Sequence, residues 1–271
     1  MGKPKNQKIA VIISLKGNND KLIEAGAAIA AMFKKELCLV LPTKNKKKHL
    51  SEKSNCKFRE IAQSAVIKNP ELRLSTVNAP GTFSALPQQL ADNEEIILIV
   101  ASADKVKQYG SALLNSPVPF LFIDKKTTFS TTFSTVTLAF DLRLENREVA
   151  LWGSYWGRFN GSKIVVIAAK DRRKYARQKM AKNILFASEL FQKFNITNTI
   201  IKGKKSSLRN AYEALEVAYT TGSDLLIILG SSVITPLDRL IGLPEHKVVK
   251  NAGGLPVMVI NPRLDNYILC D

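Results

Sequence analysis

Two stretches far apart in the chain, ELCLVL from Glu36 to Leu41 and KIVVIA from Lys163 to Ala168, superpose at an offset of 127 residues. The same offset aligns what precedes them without a gap: Ser14 falls on Asp141, Asn19 on Asn146, and DKLIEAGAAIAAMFKK on REVALWGSYWGRFNGS. Both halves also close alike, with an apolar strand (Ile96 to Ser102; Leu225 to Ser231), a helix, and a strand led by proline (Pro119; Pro256). A repeat on this scale constrains the fold more than composition does, because one plan has to be met twice by different residues.

Each copy alternates five strands with helices. The strands are near-continuous runs of Val, Ile and Leu, as strands buried on both faces require. Parallel neighbours need crossover helices, and such crossovers are right-handed almost without exception. The expected fold class is therefore α/β, two tandem doubly wound, Rossmann-like parallel-sheet domains. In the second copy, RRKYARQKMAKNILFASELFQKF is long and amphipathic, and SSLRNAYEALEVAYTTG starts at serine caps and stops at Gly222. In the first, CKFREIAQSAVIKN ends before Pro70, and FSALPQQLADN is short with Pro87 inside it, which predicts a thinner outer layer. The polar, β-prone linker from Lys125 to Thr135 places the domains at 1–128 and 129–271.

With 271 residues and 45% hydrophobic content, each half can bury a core of its own. The apolar run Ile9 to Ile13 is far short of the ~20 residues that span a bilayer, so a cytoplasmic protein is expected. Cys38, Cys56 and Cys270 are odd in number and lack metal-type spacing, which speaks against a disulfide framework or a metal site. Cys38, mid-strand, reads as an inert buried thiol, and Cys56 in a basic loop and Cys270 at the tail as the more reactive ones. The formal charge of +17 favours encounter with anions. Much of it lies in two runs, Lys44 to Lys48 beside His49 and Lys202 to Lys205. Both read first as solvated loops and second as an anion or nucleic-acid patch.

In doubly wound sheets ligands bind outside the carboxyl ends of the strands, where strand order reverses. This draws attention to Ser14 and Asp141 after the first strands, Leu41 and Ala168 after the second, and Ala101 and Gly230 after the fourth. At these positions the chain resembles the universal stress protein family in its tandem form, from about Lys8 to Arg263. The residues that carry the resemblance are VTLAFD (Val136 to Asp141), DLLIILG (Asp224 to Gly230) and EHKVVKNAGGLPVMVI (Glu245 to Ile260).

The family contains ATP binders, which carry G-x2-G-x9-G-(S/T) between the fourth strand and fourth helix, and members that do not bind ATP. Glycines let backbone N–H groups approach the phosphates, and the helix start adds its positive end. The resemblance further implies an adenine-facing Asp after the first strand. That residue is Asp141 in the second copy, and Ser14 takes its place in the first. Counted from Gly230, however, the second and third glycines fall on Val233 and Leu243. Gly242 is one residue early, Thr235 and Pro236 form a helix start, Asp238 brings a negative charge, and Pro244 has no N–H to offer. The corresponding segment of the first copy is about eight residues shorter, and its Gly110 and Ser111 lie inside the helix.

Asp141, Ala168, Gly230, Ser231, Ser232 and Gly242 are thus the candidate site, a degenerate pocket for ATP, AMP or another anion. Plainer roles stand beside this one: Gly230 as a tight strand exit, Asp141 as a helix cap or turn residue, and Arg143 and Arg239 as solvated arginines. His49 and His246 stand near no nucleophile, and Trp152, Tyr155 and Trp156 read as packing residues. No catalytic residue or metal ligand is expected. The resemblance implies a non-enzymatic stress-response or regulatory module that is not a strong ATP binder and self-associates through its final strands, Pro119–Asp124 and Pro256–Asn261, within the chain or as a homodimer. The alternatives are a sensor that binds an adenine nucleotide in the second domain and a nucleic-acid-associated basic protein.

Overall fold

The computed structural model describes residues 6–43, 51–125, 130–231 and 243–261. The chain divides between Lys126 and Thr127 into two compact units. The first contains β1 (Lys8–Ile12), α1 (Asp20–Met32), β2 (Glu36–Thr43), α2 (Glu52–Lys68), β3 (Leu74–Pro80), α3 (Leu86–Glu94), β4 (Ile96–Ser102), a 3-10 helix (Ala103–Tyr109), α4 (Gly110–Asn115) and β5 (Phe120–Ile123). Its strands lie in the order β3-β2-β1-β4-β5, and every pairing is parallel. The order reverses at β1, between β2 and β4.

The second unit repeats this plan with β6 (Thr135–Phe140), α5 (Asn146–Asn160), β7 (Lys163–Ala168), α6 (Lys174–Lys193), β8 (Asn198–Lys202), a short 3-10 turn (Ser207–Arg209), α7 (Asn210–Thr220), β9 (Leu225–Leu229), α8 (Pro244–Asn251) and β10 (Val257–Ile260). Its order is β8-β7-β6-β9-β10, again parallel throughout. The matching registers, Ala10 beside Cys38 and Thr137 beside Val165, are the 127-residue offset made spatial. Both units are thus the doubly wound α/β sheets that the alternating pattern predicts.

Burial explains the composition of the strands. Every residue of β4 and of β9 is buried, and apart from Ser102 at the end of β4 all are apolar. Cys38 is enclosed in β2, where burial pushes its thiol up to about 11. Trp152 and Trp156 are fully buried in α5, the latter against Phe133 with ring centroids 4.8 Å apart, so both are core residues. The aromatic core of the first unit is built instead around Tyr109, Phe120 and Phe122.

Three local details differ from the sequence expectation. Pro87 sits in the first turn of α3, where its missing N–H costs nothing, so this helix forms in spite of it. Helix α2 begins a turn earlier than Cys56, capped by Ser51, whose hydroxyl accepts from Ser54 N–H at 3.3 Å. Cys56 is therefore an exposed helical residue and not part of a loop. Neither Ser206 nor Ser207 caps α7, because a 3-10 turn intervenes and the Ser207 hydroxyl is engaged elsewhere. Gly110 opens α4 directly after the 3-10 helix, inside one helical segment as expected. No helix among the described residues is long and apolar enough to cross a membrane.

Candidate functional site

The carboxyl ends of β6, β7 and β9 carry Asp141, Ala168 and Gly230, three of the residues singled out by sequence. Just beyond β6 the chain turns before α5, and the turn is held by a side chain. Asn146, 0% exposed, accepts from Asp141 N–H at 3.3 Å and donates to the Asp141 carbonyl at 2.8 Å and the Arg143 carbonyl at 2.6 Å. Asn19 does the same in the first unit, accepting from Ser14 N–H at 3.0 Å and donating to the Ser14 carbonyl at 2.8 Å. The asparagine common to both copies is therefore a clasp that fixes the strand exit where a ligand would have to bind. Buried Asn183 of α6 adds a 2.8 Å bond to the Arg143 carbonyl.

Asp141 works inside this turn. Its Oδ1 accepts from Arg143 N–H at 2.8 Å, and its Oδ2 accepts from Arg143 Nε at 2.8 Å and Nη2 at 2.5 Å. The third guanidinium bond, Nη1 to the Gly230 carbonyl at 2.6 Å, ties the end of β6 to the end of β9. A charge-assisted, two-pronged pair of this kind is among the stronger polar interactions available. Arg143 thus bridges Asp141 and Gly230 across the switch point.

Gly230 is close to β10. A Cβ there would meet Val259 Cγ1 at 3.2 Å, and its N–H donates to the Ile260 carbonyl at 2.8 Å. Ser231 follows, with its N–H donating to Glu245 Oε1 at 3.2 Å and its hydroxyl donating to Glu245 Oε2 at 2.9 Å. Glu245 is 3% exposed and sits in the first turn of α8, where the helix end favours an anion. Burial, and after it the negative charge of Glu245, pushes the Tyr212 phenol upward. An internal carboxylate therefore takes the donors that a phosphate would seek. The equivalent serine of the first unit, Ser102, is buried with no partner for its hydroxyl among the described residues.

Ala168 ends β7 and accepts from Gly203 N–H at 2.8 Å. At Gly203 a Cβ would come within 2.7 Å of Glu213 Oε2 and 2.8 Å of the Ala168 carbonyl, so the loop after β8 needs glycine there. Glu213, 7% exposed on α7, accepts from Lys204 N–H at 2.6 Å and Lys205 N–H at 2.9 Å. Lys202 is the last residue of β8, and only Lys204 and Lys205 belong to the loop. The loop is joined to the one after β7 by Lys170 N–H donating to the Lys205 carbonyl at 2.7 Å and by the Ser207 hydroxyl donating to Asp171 at 2.5 Å.

Ser232 and Gly242 lie outside the described residues, as do Val233, Thr235, Pro236, Asp238, Arg239, the run from Lys44 to Lys48, His49 and Cys270. The sequence reading missed Glu245 and Glu213. For Glu245 a signal existed, an acidic residue directly after the proline that starts a helix. For Glu213, mid-helix, there was none. Among the described residues no three His, Cys, Asp or Glu side chains stand together as a metal site.

No family model matches the sequence, and no curated protein matches it. Solved structures do. A universal stress protein from Archaeoglobus fulgidus superposes with a TM-score of 0.70 at 14% identity, covering 95% of this chain and 97% of its own. A putative universal stress protein from Pseudomonas aeruginosa gives 0.60 at 14%, covering 94% and 93%. A functionally unknown protein from the same species gives 0.61 at 16%, covering 95% and 92%. The fold of this chain is that of the universal stress proteins in tandem.

Proposed function

We propose that this protein is a non-enzymatic, universal-stress-type interaction module with a stress-response or regulatory role, and that it is not a strong ATP binder. The observation that supports this reading is the pair of internal locks in the second unit: Arg143 spanning Asp141 and Gly230, and Glu245 holding both donors of Ser231. A nucleotide entering there has to displace a guanidinium from a carboxylate and bring phosphates toward a buried carboxylate, and both steps cost free energy. The module acts by association. β5 and β10 each lie at one edge of their own unit's sheet, and edge backbone groups seek a strand partner.

Native mass spectrometry of the purified protein tests the reading. The expected spectrum has no mass for retained ATP or ADP, and about 5 mM ATP leaves the melting temperature unchanged. A stoichiometric nucleotide, or an ATP-dependent rise in melting temperature that Asp141→Ala abolishes, establishes the sensor alternative instead.

One observation favours a second reading, association with a nucleic acid. Lys170, Arg172 and Arg173 after β7, and Lys204, Lys205 and Arg209 after β8, are all exposed on the two joined loops, and the nearby Asp171 carboxylate is occupied by Ser207. Binding of a single-stranded oligonucleotide followed by fluorescence anisotropy should then weaken with salt. Arg172→Glu with Arg209→Glu should flatten the log–log slope by roughly 0.7 for each phosphate that is no longer neutralised. Affinity indifferent to salt removes this reading.

A further inference from the structure

The two units differ in what occupies the region beyond the carboxyl ends of their strands. In the second unit Arg143 and Glu245 engage the strand-exit groups that are described, whereas in the first there is a cavity of about 250 Å³ walled by Ile13, Leu41, Pro42, Phe83 and Tyr109, with Lys16 and Lys105 also lining it. A smaller space of about 100 Å³ adjoins it and shares Pro42 and Phe83. The larger cavity exposes polar and apolar surface about equally, from apolar side chains, Ser14 and the two lysines, and the charges that line it are positive.

Tyr109 is the informative residue. It is 1% exposed, edge-on to Phe83 with ring centroids 5.4 Å apart, and tilted against Phe120 at 5.4 Å. Buried tyrosine hydroxyls usually find a partner. No hydrogen bond joins this one to a described residue, and it is not enclosed as the Ser102 hydroxyl is but opens on the cavity, while burial of the ring raises its phenol well above the ordinary range. An unmet donor thus stands on the cavity wall. Positive charge is also gathered at this end of the sheet. Lys125 is held below the usual lysine range first by burial and then by repulsion from Lys105, with only Asp104 opposing.

We propose that this cavity binds a small apolar monoanion, a ring or short aliphatic body bearing one carboxylate, which accepts a hydrogen bond from Tyr109 Oη and is neutralised by Lys105 and Lys16. The volume falls below the roughly 300–1,000 Å³ of drug-sized sites, which favours a small ligand. The chain gives the same answer, because β4 passes directly into a 3-10 helix over Ala103–Tyr109 and leaves no glycine turn to cradle phosphates. This site goes beyond the interaction role proposed above and does not depend on it.

Calorimetric titration of the full chain with phenylacetate, hexanoate and the uncharged phenylacetamide is the test. Phenylacetate is expected to bind once per chain and the amide at least roughly tenfold more weakly, as loss of a charge-assisted bond requires. Tyr109→Phe should weaken phenylacetate by a similar factor, and its melting temperature without ligand should be unchanged or higher, since no internal bond is lost. Lys105→Ala should weaken phenylacetate and not phenylacetamide. The proposal is overturned if neither acid binds at about 10 mM, a concentration at which even a millimolar site is mostly filled. It is equally overturned if acid and amide bind alike, or if Tyr109→Phe melts lower without ligand, which would give the hydroxyl a structural partner.

Discussion

Asn146→Ala is expected to destabilise the second unit by about 3 kcal/mol, the largest effect expected of a polar substitution among the described residues. The side chain is 0% exposed and bonds the Asp141 N–H, carbonyl and carboxylate and the Arg143 carbonyl; Asn183 also donates to both carbonyls, so the Asp141 N–H is the group that loses its partner. Alanine leaves that N–H unsatisfied and removes the three further bonds that tie the turn together, so a desolvation cost adds to the lost bonds. The two tryptophans of the chain, Trp152 and Trp156, both lie in α5 of this unit, so their fluorescence in a urea titration reports its unfolding selectively. Asn19→Ala removes the equivalent clasp from the first unit, where two bonds are broken instead of four. A loss of about 2 kcal/mol is expected there, seen by circular dichroism while the tryptophan transition stays in place. A fluorescence midpoint unmoved by Asn146→Ala would deny the clasp its structural role.

Glu213→Ala has the second largest expected effect, about 2–3 kcal/mol on the same fluorescence transition. The carboxylate holds Lys204 N–H and Lys205 N–H from inside, and without it the loop after β8 loses its anchor on α7. Because those two donors would then point into a small vacated space, the variant is an empty anion nest. Acetate should restore part of the lost stability in a concentration-dependent way and leave the wild type unaffected. Destabilisation without any rescue by acetate would mean that packing of the Glu213 side chain, and not its charge, is what the loop needs.

These two residues show what could be read in the chain and what could not. Asn146 was visible as one of the identities at the 127-residue offset, and what it holds became clear only with the turn in three dimensions. Asp141 and Gly230 were legible as strand-exit residues because they end long apolar runs. Their bridge by Arg143 was not, since it depends on one guanidinium reaching a carbonyl 87 residues away. Pro87 misled in the other direction. A proline weakens a helix in its interior and is neutral in its first turn, and one residue of boundary decides which applies. Tyr109 carried no signal at all, because a tyrosine in an amphipathic stretch reads the same whether or not its hydroxyl finds a partner.

The sequence by itself determined two doubly wound sheets, the point in each where strand order reverses, and the absence of an intact glycine frame for phosphate. It did so because burial on both faces is written redundantly over dozens of residues, so that no single position has to be right. Only the tertiary structure decided which side chains stand at the two strand-exit regions. Arg143 and Glu245 engage the strand-exit groups of the second unit, while the first has a cavity beside Tyr109. Occupancy of a crevice rests on the reach and direction of a few side chains from distant segments, and hydrophobic periodicity, which specifies the sheets, carries no record of them.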